Sequence, residues 1–136
     1  MTARKGVGPP LIALATMIGC SGGISTAPSS TPGIPGTPAN PVGTTTITIT
    51  TSGVSPKAIL VSRGAQVTFI NNDTVPHDMS SDPHPDHTDC PAINQAGFLL
   101  PGQSRQTGNL TTPRVCGFHD HEHETVVALQ GTITVQ

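Results

Sequence analysis

The sequence predicts an all-β domain built as a two-sheet sandwich, and three observations carry that prediction. β-Branched stretches alternate in parity, as in Thr44 to Thr51, where Ile47 and Ile49 share one face. Glycine (15) and proline (14) make up about a fifth of the 136 residues, while charged residues are only 10%. A helical bundle or coiled coil would need far more Ala, Leu, Glu and Lys. The part of the chain with strand-like patterning, residues 44–136, is long enough for two packed sheets.

The elements follow in order. Arg4 and Lys5 precede an apolar run from Leu11 to Ile18, too short for the ~20 residues of a membrane span. Gly19-Cys20 closes this segment, which resembles a bacterial lipoprotein signal. That resemblance implies a signal peptide over 1–19, a lipidated Cys20 as the mature N-terminus, and, with Ser21 next, anchoring in the outer membrane. Residues 20–43 read as a tether. From 21 to 43 they hold five Pro, five Gly and seven Ser or Thr, and no charge. Such a segment buries too little apolar surface to offset the entropy of ordering it, and its prolines keep it extended.

Within 44–136, strands are predicted at Thr44–Thr51, Ala58–Val61 and Gln66–Ile70, the last closed by the turn residues Asn71-Asn72-Asp73. Residues 71–97, rich in Asp, Pro and His, read as a long loop, and loops of that length in a compact domain are usually functional. Phe98–Leu100, Gln103–Leu110 and Arg114–Phe118 are further strand candidates. Val127, Leu129, Ile133 and Val135 share one parity in a closing strand.

Net charge of −2 argues against an electrostatic nucleic-acid binder. No phosphate loop, Ser-His-Asp order or paired-carboxylate framework stands out, so an enzyme is not expected. Instead, potential metal ligands are concentrated. All six histidines lie between His77 and His123, all eight acids between Asp73 and Glu124, and Cys90 and Cys116 fall in the same region. Histidines placed for packing alone would not avoid the first 76 residues so completely.

Three segments give this clustering a shape. Gly64 to Asp73 followed by Val75-Pro76-His77, then Pro101-Gly102-Gln103-Ser104, then Cys116-Gly117-Phe118-His119 with the closing Leu129–Val135, resemble in that order the cupredoxin family of blue-copper proteins. The resemblance implies a Greek-key β-sandwich holding copper, cycling between Cu(I) and Cu(II), with His77 and Cys116 as ligands. His119, at the Cys-x-x-His spacing of plastocyanin-like sites, is preferred as the second imidazole over His121, with its longer azurin-like spacing, and over His123. A thiolate with two imidazoles suits both copper oxidation states. Leu129 stands where the family's axial methionine is usual; Met79 is misplaced for that role, and Glu122 or Glu124 would make a harder site.

The expected function is therefore a one-electron copper carrier, monomeric and lipid-anchored in the cell envelope, meeting redox or copper-handling protein partners. Two alternatives stay open. One is a copper-binding or delivery protein without redox turnover. The other is a metal-free sandwich in which Cys90 and Cys116 form a disulfide, which an oxidising compartment favours. His84 and His87 are candidates for a second metal site or are plain loop residues.

Overall fold

A computed structural model gives the structure of residues 40–136, together with residue 6. The expected signal peptide, Cys20 and most of the tether lie outside the described residues. Ten strands are present: β1 (Val42–Gly43), β2 (Thr46–Thr50), β3 (Gly53–Ser55), β4 (Ala58–Val61), β5 (Thr68–Asn71), β6 (His77–Ser81), β7 (Gly97–Leu99), β8 (Ser104–Gln106), β9 (Arg114–Asp120) and β10 (Gly131–Val135). They form two sheets, β1-β4-β10-β9-β6-β7 and β3-β2-β5-β8. Among the described residues the only helical turns are short 3-10 segments. The predicted all-β sandwich is the architecture observed.

Alternation explains the core. In β2, Ile47 and Ile49 are fully buried while the flanking threonines are half-buried. β4 lies between β1 and β10, and its residues Ala58, Ile59 and Val61 are buried. Ile133 and Val135 of β10 and Phe69 of β5 complete the interior, with Phe69 set edge-to-face on Phe118 of β9 at 5.3 Å between ring centroids.

Five readings of the sequence change. The expected loop 71–97 contains β6, whose His-Asp-Met-Ser-Ser composition gives no strand signal. It forms because β7 and β9 both pair with it, so tertiary pairing overrides propensity. Val127–Leu129 is a 3-10 turn rather than strand: Leu129 is buried, but Val127 is 67% exposed. The 103–110 candidate shrinks to three residues, and β9 extends to Asp120. Finally Val42 and Gly43, read as tether, pair in parallel with Ile59 and Leu60, so the folded part begins two residues early.

Register in the larger sheet positions the chemistry. Met79 pairs with Asp120 and Ser80 with His119. Cys116, Phe118 and Asp120 therefore share the inward face of β9, while Gly117 and His119 share the outward one.

Candidate metal centre

Cys116 is not a free thiolate. Its sulfur is bonded to that of Cys90 across a Cα–Cα distance of 5.8 Å, and both residues are buried within the core. The physical reason is placement: the 82–92 segment brings Cys90 to β9, held there also by an Arg114–Asp89 ion pair of 2.7 Å. The expected role of Cys116 as a metal ligand is thereby corrected. The expected quartet is also divided by strand parity. His77 lies with the inward face of β9, whereas His119 and His121 belong to a separate cluster around the outward face.

The inward cluster is His77, Asp120 and His123, each offering a ligand atom within 4.8 Å of the others. His77 Nδ1 lies 2.7 Å and His123 Nδ1 2.8 Å from the same Asp120 Oδ2. The other oxygen, Oδ1, accepts from the amides of Asp78 (3.0 Å) and Glu122 (3.2 Å). Burial raises the pKa of the Asp120 carboxyl, but hydrogen bonds from His77, the Asp78 amide and His123 outweigh it. The net shift is below the ordinary value, and the group is an anion. On its far side His77 Nε2 faces Asp73 Oδ2 at 3.4 Å. Asp73 is likewise held below its ordinary pKa, chiefly by the Thr74 amide. A cation held in place of the Nδ1 proton would leave His77 its proton on Nε2, the nitrogen that faces Asp73.

Sequence reasoning did not include Asp120 and placed His123 behind His119 and His121. A signal existed: Asp120-x-x-His123 repeats the three-residue step of Cys116-x-x-His119 further along the chain. What the sequence alone lacked was the register showing that Asp120, not Cys116, ends β9 beside His77.

The outward cluster is His84, His87, His119 and His121. His119 is 3% exposed, and its Nδ1 donates to Asp82 Oδ1 at 2.7 Å. Asp82 reaches it across Gly117, where a Cβ would collide with the Asp82 carboxylate. Gly117→Ala is therefore expected to push Asp82 off His119. The measurement is the protected Nδ1 proton of His119 by NMR, which should be lost in the variant and present in the parent chain.

No protein-family model matches the sequence, and no curated relative does either. Among solved structures, the oxidized plastocyanin of Dryopteris crassirhizoma superposes with a TM-score of 0.53 at 22% identity, over 67% of this chain and 99% of that one. The chain has the cupredoxin fold. The purple cupredoxin of Nitrosopumilus maritimus is similar to it as well (TM-score 0.51, 20% identity, 68% and 100% of the two chains). So is the Cu(I) form of a mutant amicyanin (0.52, 18%, 67% and 80%). The Greek-key sandwich implied by the sequence resemblance is thus the fold found. On this cupredoxin scaffold the residues present do not fit a thiolate-ligated copper, because the sulfur is consumed. They do fit a harder ion: two imidazoles and a buried carboxylate are donors suited to Cu(II).

Proposed function

We propose that this protein is a copper-binding protein of the cell envelope that holds the ion with nitrogen and oxygen donors at His77, Asp120 and His123. One observation carries the reading: two imidazole Nδ1 atoms converge on a single buried carboxylate oxygen, at 2.7 and 2.8 Å. When bound, copper there would supply a Cu(II)-favouring centre of imidazole and carboxylate. The chain's own part is to fix the donors. Asp120 is held by two backbone amides, His77 is clamped between two carboxylates, and His123, 48% exposed, is the side open to solvent. An exposed ligand suits uptake and release, so binding or delivery is favoured over a blue one-electron carrier. The Cys90–Cys116 disulfide supports an oxidising compartment, and the lipoprotein-like segment ending at Cys20 supports membrane anchoring.

Copper added to the purified chain tests this. The expected result is bound Cu(II) with a pale spectrum and a paramagnetic signature of nitrogen and oxygen ligands, and in Asp120→Asn an affinity of this centre lower by about 100-fold, enough for its ion to be lost on desalting. An intense visible band that disappears in Cys116→Ser would overturn it.

A further inference from the structure

The outward face of β9 carries a buried imidazole nitrogen with no partner. His119 Nε2 is fully enclosed and makes no hydrogen bond, although burying such a group unpaired costs about 1–3 kcal/mol. Its Nδ1 is committed to Asp82, so the proton sits there and Nε2 presents a lone pair. His87 shares half of this arrangement: its Nδ1 donates to the Ser81 carbonyl at 2.8 Å, so its Nε2 carries a lone pair, which faces another imidazole of the group. His87 itself has φ of 50°, a left-handed conformation uncommon for a side-chain-bearing residue. It is held from both sides, because its carbonyl accepts from Ser81 Oγ and Asn94 Nδ2, both at 2.9 Å. His87 Nε2 lies 2.9 Å from His121 Nδ1. His84 closes the group, its ring centroid 5.1 Å from that of His121 and 5.7 Å from that of His119. One ligand atom from each of the four lies within 4.8 Å of the rest.

The geometry points to a second metal site, formed by the imidazoles of His84, His87, His119 and His121 and selective for a divalent late first-row cation such as Zn²⁺ or Cu²⁺. Four neutral nitrogens match the ligand preference of these ions and offer nothing to Ca²⁺ or Mg²⁺, which want oxygen. Metal–imidazole bonds of about 2.0–2.1 Å would draw the four nitrogens together. The carboxylate of Asp82 and the carbonyl of Ser81 orient two ligands from behind, as outer partners do in built metal sites. The lone pair of His119 then gains the partner that the protein does not provide. This site shares no residue with the His77–Asp120–His123 centre, so either one can stand without the other.

The test is metal stoichiometry on the full chain, equilibrated with excess Zn²⁺ or Cu²⁺ and then desalted. Two ions per chain are expected. His121→Ala and His87→Ala, both at partly exposed positions, should each bring the count to one. Asp120→Asn should remove the other ion, and combining it with His121→Ala should leave none. With Cu²⁺, the ion retained by Asp120→Asn should show hyperfine coupling to several imidazole nitrogens. A count in His121→Ala and His87→Ala equal to that of the parent chain would overturn the proposal. So would retention, in Asp120→Asn, of an ion without imidazole coupling. Loss confined to Asp120→Asn would refute this site and keep the inner one; loss confined to the histidine variants would do the reverse.

Discussion

Replacing Cys90 and Cys116 together by alanine is expected to destabilise the domain by about 3.5 kcal/mol while leaving copper binding at His77, Asp120 and His123 in place. The stability term follows from the 26-residue separation that the bond spans, through the loop-closure entropy it removes from the unfolded chain. That is a large share of the 5–15 kcal/mol typical of a domain. Both cysteines are buried in the core, and alanine avoids leaving a hydroxyl there without a partner. Urea denaturation of the metal-free protein before and after substitution measures the loss from the shift in midpoint. A change below about 1 kcal/mol would mean that the 82–92 segment is already ordered in the unfolded state or held without the bond. Retention of copper by the alanine pair would separate this protein from thiolate-ligated carriers by a second route, independent of its spectrum.

Phe118→Ala is expected to cost more still, about 3–5 kcal/mol. Phe118 is 1% exposed and meets Phe69 edge-to-face across the two sheets. Its ring also fills the space beside Gly131, where a Cβ would strike it. Little in that wall can collapse to fill a cavity, because β9 is fixed by pairing with β10 on one side and β6 on the other. Val115→Ala on the same strand is the control: Val115 is 58% exposed, and its truncation should stay within about 0.5 kcal/mol. Thermal or chemical denaturation of the two variants side by side checks the contrast. Equal effects would mean that the sheet interface is not where the cohesion of this small domain resides.

Much of the fold was legible because its core strands obey simple alternation. Ile47 and Ile49, the Ala58–Val61 run, and Ile133 with Val135 are buried as their parity predicts. β6 was not legible. His77–Ser81 contains no β-branched residue, and its strand conformation is imposed by partners distant in sequence, β7 and β9. The site was legible in residue type and region and illegible in grouping. The sequence places every histidine after residue 76, and all six do fall into two ligand clusters. Which histidine joins which cluster depends on a single parity along β9: His119 and Asp120 are neighbours in the chain and point to opposite faces of the sheet. No spacing rule reveals that without the register. The fate of Cys116 was equally hidden, since a thiol can bind either a metal or a second thiol, and only the course of the 82–92 segment decides between them.

The bond between residues 90 and 116 also fastens the segment bearing His84 and His87 onto the strand that carries His119. With the bond reduced this fastening would be missing, and the outer group of imidazoles would be held only by hydrogen bonds and packing. A reduced chain would therefore carry that cage loosely assembled. Closing the bond would tighten it, so that one covalent link couples the oxidation state of two cysteines to the readiness of four imidazoles.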